Sequence, residues 1–166
     1  LQGSLIDLQN RENITEGKIS KAKKAMLDSL PESEMIVFSP KNPKHTITVF
    51  TDVECGYCRK LHQEIASFMQ EGIKVRYLLF PRAGLNSSSY EQSVSIWCAA
   101  DRNQALTDAK AGKNIPHSNC DNPVKNHMDI GEMMGVNGTP TIVLEDGKVL
   151  PGYVPAARMA TYLNGK

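Results

Sequence analysis

The clearest signal along the chain is a change of period. His45–Thr51 reads His-Thr-Ile-Thr-Val-Phe-Thr, dense in β-branched residues, and predicts a buried strand. Beyond it, Cys58, Leu61, Ile65 and Phe68/Met69 recur at the spacing of one helical face, and Gly72 supplies a stop. Ile73–Phe80 returns to a strand pattern. Strand, helix and strand with short joints make a βαβ unit, which implies a parallel pair.

The flanks are read the same way. Leu1–Leu8 alternates in part and predicts a short strand, followed by a polar stretch from Gln9 to Gly17. Ile19, Ala22, Met26 and Leu30 sit at helical spacing, with Pro31 as the stop, so Lys18–Leu30 reads as a linker helix. Met35–Phe38 is a short apolar run, and Pro40, Asn42 and Pro43 mark a turn. After a loop over Pro81–Ser89, Glu91–Ala111 is mostly helical in pattern, Gly112–Pro123 is irregular, and Val124–Met134 is a further helix closed by Gly135. Thr141–Leu144 and Lys148–Leu150 flank Glu145-Asp146-Gly147, a hairpin signal. Pro155–Leu163 reads as a terminal helix with proline near its start.

Composition narrows the classes. The 166 residues are 40% hydrophobic with net charge +1, enough for one domain with a real core and without the basic patch that nucleic-acid binding needs. No apolar run approaches the roughly 18 residues of a membrane helix. The opening Leu1-Gln2-Gly3-Ser4-Leu5 has neither an initiator Met nor a charged-then-apolar leader, and reads as a processed or truncated product. Of four cysteines, two are close and two distant, a usage that points to an oxidising compartment.

The close pair carries the chemistry. Cys55-Gly56-Tyr57-Cys58 joins the strand to the helix. At a helix N-terminus the unpaired N–H groups and the helix dipole favour a thiolate, which makes Cys55 a nucleophile and a good leaving group. Cys58 is within reach for a disulfide, on the same face as Leu61 and Ile65, and should be shielded. Gly56 and Tyr57 tune the pair, while Asp52 and Glu54 nearby would oppose the thiolate. The competing reading is a zinc site, but closed zinc sites want four ligands and there is no second knuckle. His62 reads as a surface helix residue rather than a ligand. The pair therefore needs no cofactor.

Gly138-Thr139-Pro140-Thr141 is a second signal. A proline immediately before a buried strand is out of place unless it lies at an edge or in a cis bond, and here it reads as a cis-proline loop facing the redox motif, with Thr139 offering backbone hydrogen bonds to a substrate strand. Cys98 and Cys120 enclose a segment without core pattern. A bridge there would restrain the unfolded chain by about 3 kcal/mol; the alternative is two free thiols, one buried beside Trp97.

Thr48-Val49-Phe50-Thr51-Asp52-Val53-Glu54-Cys55-Gly56-Tyr57-Cys58-Arg59-Lys60-Leu61-His62 closely resembles the active-site stretch of bacterial periplasmic disulfide isomerases of the DsbC type. So do Val75–Arg82, Trp97-Cys98-Ala99, Gly138-Thr139-Pro140 and the Pro151-Gly152-Tyr153 turn, a match that covers Met35 to the C-terminus. The resemblance implies an α/β, thioredoxin-like fold with a helical insertion, preceded by a linker helix. It implies Cys55 as attacking and Cys58 as resolving cysteine, Thr139 and Pro140 as binders of substrate backbone, and Cys98–Cys120 as a structural disulfide. It also implies a periplasmic enzyme acting on misfolded disulfide-containing secreted proteins, a DsbD-type membrane reductase as partner, and a homodimer in the full-length protein. On this reading residues 1–34 hold the end of a dimerisation domain and its linker helix, and 35–166 the catalytic domain; the chain as given would be a monomer. A departure stands at Val49, where many thioredoxins carry a buried acid, so proton removal from Cys58 must use another group or water. The alternatives are a dedicated thiol oxidase or reductase, and a redox-inactive chaperone module.

Overall fold

The computed structural model describes the backbone of residues 2–165 and the side chains of residues 14–165. Helix α1 (Gln2–Asp28) leads through a 3₁₀ turn (Glu32–Glu34) into β1 (Ile36–Phe38) and β2 (His45–Thr51). Helices α2 (Gly56–Gln63) and α3 (Ile65–Gln70) connect to β3 (Ile73–Leu79). Then follow α4 (Ser88–Cys98), α5 (Arg102–Lys110), α6 (Val124–Met133), the hairpin β4 (Thr141–Val143) and β5 (Val149–Pro151), and α7 (Ala156–Asn164). No helix among the described residues is long and apolar enough to cross a membrane.

The five strands form one sheet in the order β1-β3-β2-β4-β5. β2 and β3 are parallel, from His45↔Ile73 to Thr51↔Leu79, as the βαβ pattern requires. The other pairings are antiparallel: β1 on β3, β4 on β2 and β5 on β4. Central β2 and β3 are covered on both faces. Tyr77 turns to α2, where its hydroxyl meets His62. Phe50 turns to α6, where the backbone comes so close that a Cβ on Gly131 would lie 2.6 Å from the Phe80 ring and 3.2 Å from that of Phe50.

Three expectations change. The helical pattern over Glu91–Ala111 is two helices, α4 and α5, parted at residues 99–101, where the Asp101 side chain caps α5 by accepting from the Gln104 N–H. The strand expected over Leu1–Leu8 is not found: from Gln2 onward the chain is already α1, which continues through the polar stretch 9–17, and Leu1 lies outside the described residues. Gln9, Arg11, Glu12, Glu16 and Lys18 are straight-chain helix formers, and their summed propensity carries the helix past Gly17. The helix after Cys55 is broken at Glu64 (φ −96°, ψ 12°), whose carboxylate accepts from the Tyr153 hydroxyl and, at 3.2 Å, from the Ala156 N–H. That break ties α2 and α3 to the start of α7.

α1 rests on the domain through buried Leu27 and a bare backbone contact. Gly147, at the hairpin turn with φ +88°, lies against the helix so closely that a Cβ would sit 1.9 Å from the Ser20 carbonyl oxygen. Both the left-handed conformation and the close approach require glycine. Gly147→Ala should therefore lift α1 from the hairpin and cost about 1–3 kcal/mol. Faster amide exchange over residues 20–28, with Cys55 reactivity unchanged, is the expected result.

His127 holds three elements together inside the core. Its Nδ1 accepts from the Leu79 N–H at 3.0 Å, and its Nε2–H donates to the Glu34 carbonyl at 2.6 Å, so the ring is neutral. Burial brings its pKa down to about 4, against a partial rise from the Glu34 bond. The unfolded chain, with an ordinary histidine near 6.5, binds the extra proton first. Stability is thus complete above pH 6.5 and falls as pH drops toward 4, by roughly 3 kcal/mol from this residue. Urea titrations at a series of pH values should show that slope, and His127→Gln should flatten it from a lower starting stability.

Candidate redox site

The site forms where β2 ends and α2 begins. The chain leaves the strand through Asp52, Val53 and Glu54, and Cys55 takes the N-cap of α2 with extended backbone (φ −89°, ψ 123°). Its sulfur accepts from the Cys58 N–H at 3.3 Å, one of the unpaired donors of the first helical turn. Across the site the Thr139–Pro140 peptide is cis, and the Cys55 Sγ–H donates to the Thr139 carbonyl at 3.2 Å. Both cysteines are free thiols; Cys55 is 4% exposed and Cys58 fully buried.

The two thiols differ in acidity. Burial works to raise the Cys55 thiol, but bonds from the Cys58 thiol, the Thr139 side chain and the Cys58 N–H, together with the Arg82 charge, bring it below its ordinary value. For Cys58 burial prevails, reinforced by its bond to Cys55, and the thiol is pushed up. The Thr139 hydroxyl is buried with no hydrogen bond of ordinary geometry among the described residues, and acts on both thiols in the direction that favours the thiolate. The expected opposition from acids is muted. Asp52, 3% exposed, accepts from the Glu54 N–H and from the Arg82 N–H and Nε–H, and Glu54 accepts from Ser88.

Gly56 and Tyr57 open α2. Tyr57 is 63% exposed and stacks on Tyr153 with ring centroids 6.2 Å apart, giving the cysteines an aromatic flank. Cys98 and Cys120 are bonded to each other (Cα–Cα 5.8 Å), tying the end of α4 to the irregular segment 111–123. Val49 is buried and apolar. His62 departs from its expected place on the helix surface. It is 5% exposed, with Nδ1 against the Tyr77 hydroxyl and Nε2 against Thr107 Oγ1, both at 2.8 Å. Insertion helix α5 covers that face, which the helical period alone left open, and burial beside Lys110 brings His62 to about 3. Lys110 was invisible as a site residue in the sequence, since only the packing of α5 brings it beneath Cys58. No group of three or more His, Cys, Asp and Glu that could hold a metal occurs among the described residues.

A parallel strand–helix–strand unit with a dithiol at the helix start and a cis-proline opposite defines a thioredoxin-like thiol–disulfide enzyme. The family model for the thioredoxin-like domain matches residues 31–165. The thiol:disulfide interchange protein DsbC of Escherichia coli K12 is 42% identical over 166 residues, 99% of this chain and 68% of that protein. DsbC of Haemophilus influenzae is 40% identical over 158 residues, 94% of this chain and 67% of its own. Among solved structures, a disulfide interchange protein from Neisseria gonorrhoeae superposes with a TM-score of 0.72 at 30% identity, covering 82% of this chain and 97% of that one. The chain belongs to the DsbC family of thiol:disulfide interchange proteins.

The difference in acidity sets a test. Iodoacetamide at pH 6 should modify Cys55 well before Cys58, because alkylation follows the thiolate fraction and access. Mass spectrometry of tryptic peptides reads this directly; equal rates at both positions would contradict the assigned environments.

Proposed function

We propose that the chain reshuffles or reduces incorrect disulfides in secreted proteins, with Cys55 attacking and Cys58 resolving. The observation that carries this reading is the Cys55 sulfur itself. It caps α2 and touches Thr139 beside a cis-proline, so it is acidic and lies next to backbone able to orient a partner chain. The Cys55 thiolate attacks one sulfur of a substrate disulfide. A mixed disulfide forms, and the other substrate sulfur leaves as a thiolate. If a substrate thiolate then attacks elsewhere and finally displaces Cys55, the substrate is isomerised and the enzyme returns unchanged. If Cys58 attacks Cys55 first, the substrate leaves reduced and the enzyme holds the Cys55–Cys58 disulfide.

In this reading Thr139 and Pro140 receive substrate backbone, and the Tyr57–Tyr153 stack supplies apolar surface for an unfolded chain. Gly56 leaves open space beside the thiols, since a Cβ there would meet nothing within 4 Å. Cys98–Cys120 is structural. The family resemblance adds a periplasmic setting, a DsbD-type membrane reductase to restore the dithiol, a homodimer, and α1 as the linker helix that carries the catalytic domain, residues 35–166. No cofactor enters the cycle, because the electrons reside in the cysteine pair.

Removing the resolving thiol tests the assignment. Cys58→Ala should accumulate mixed disulfides with scrambled ribonuclease, stable on non-reducing gels and released by dithiothreitol. Cys55→Ala should form none and lose all reactivation. Reactivation that survives in Cys55→Ala would refute the scheme.

A further inference from the structure

Lys110 is a buried cation with no carboxylate at its side. It lies at the last turn of α5 and is 4% exposed. Its ammonium donates to Thr51 Oγ1 at 2.5 Å and to the Cys58 carbonyl at 3.3 Å, and stands 4.6 Å from the Tyr77 ring centroid. Among the described residues no acidic oxygen lies within ion-pair distance of it; Asp52 is engaged by Arg82 at 3.0 Å. An unpaired buried charge is costly.

The groups around Lys110 show which anion it suits. From the loop after β2 come Asp52 and Cys55; from α2 come Cys58, Arg59 and His62; from β3 comes Tyr77. His62 is neutral, and the Tyr77 hydroxyl is held against ionisation by burial. Arg59, whose Nε–H donates to the Val53 carbonyl, opposes the Lys110 charge. Asp52 supports that charge but is already paired. The remaining anions that this ammonium can meet are the thiolates of Cys58 and Cys55, and its anchor on the Cys58 carbonyl keeps it at the residue whose thiol is harder to ionise.

We propose that Lys110 is a positioning residue for the resolving step, its buried ammonium favouring the Cys58 thiolate in place of the buried acid absent at Val49. The proposal rests on Cys58 being the resolving thiol. In that step the Cys58 proton passes to water and the thiolate attacks the Cys55 sulfur of the mixed disulfide. The Cys55–Cys58 bond forms and the Cys55–substrate bond breaks. The substrate sulfur departs with the electron pair and takes a proton from water. In this step Cys58 is oxidised by one electron and the departing substrate sulfur reduced by one; over both exchanges the cysteine pair is oxidised by two electrons and the substrate disulfide reduced by two. Lys110 keeps its proton throughout and acts through its field. Burial holds its pKa down at about 8, against the opposite pull of Cys58, Cys55 and Asp52, so it is charged at neutral pH. An opposite charge nearby favours the ionised thiol, and the Lys110 charge acts on Cys58 in that direction, against its burial.

Lys110→Met keeps the volume and removes the charge. In a Cys55→Ala background, the pH profile of Cys58 alkylation should move up by about one unit on adding this change. With Cys55 present, resolution of a Cys55–glutathione mixed disulfide at pH 7 should slow about tenfold, while attack by Cys55 on oxidised glutathione changes less. An unmoved Cys58 profile, or equal slowing of both steps, would overturn the proposal. A measurement on the unaltered protein stands beside this should the variant fold poorly. By linkage, a cation that favours the thiolates is itself held more tightly by them. The Lys110 side chain, followed by NMR, should titrate at higher pH in the dithiol than in the disulfide form; identical midpoints would overturn the proposal. Failure of Cys58→Ala to trap mixed disulfides would instead remove the reading beneath it.

Discussion

The Cys55 sulfur is held between the first turn of α2, through the Cys58 N–H, and the Thr139 carbonyl, which lies 84 residues along the chain from Cys55. Both contacts depend on one strand pairing. β4 lies antiparallel on β2 with Phe50 opposite Thr141, which brings Thr139 and Pro140 to the end of β2 where α2 begins. A slip of one residue there would move the loop by about 3.4 Å and turn Ile142 and Val49 out of their layers. The hydrophobic core therefore fixes the chemistry indirectly, by making that register the one that buries both strands.

Charge around the sulfur is arranged with the same economy. Asp52 would be an obstacle to a thiolate if it stood alone, but its oxygens are occupied by two backbone N–H groups and the Arg82 guanidinium. Arg82 then lends its own charge to Cys55. The two buried histidines are neutral, held by hydrogen bonds whose partners need no charge. The net result is one acidic thiol with a solvent-facing aromatic flank and one reluctant thiol behind it.

Much of this was legible in the residue pattern. β2, β3 and the parallel pairing followed from β-branched density and from the switch to helical spacing after Cys55, and the Asp146-Gly147 hairpin from its turn chemistry. Cys55-Gly56-Tyr57-Cys58 and Thr139-Pro140 were readable because their meaning is local: a helix start, and a proline ahead of a strand. What stayed hidden depends on elements distant in sequence. His62 looks like a surface residue until α5 is laid over it, and Lys110 like an ordinary helix-end lysine until its ammonium is found under Cys58. The strand reading failed over residues 2–8 for another reason, since a short partly alternating run fits strand and helix alike and only the continuity of α1 decides.

The contact between α1 and Gly147 is made by backbone on both sides, with no side chain to absorb an adjustment. A helix advances about 100° and 1.5 Å with each residue. Whichever residue meets the glycine therefore fixes the phase at which the preceding helix leaves the domain. Ser20 serves as an angular index, and one residue added or removed between it and Leu27 would swing everything ahead of it by more than a quarter of a turn while leaving the redox centre in place.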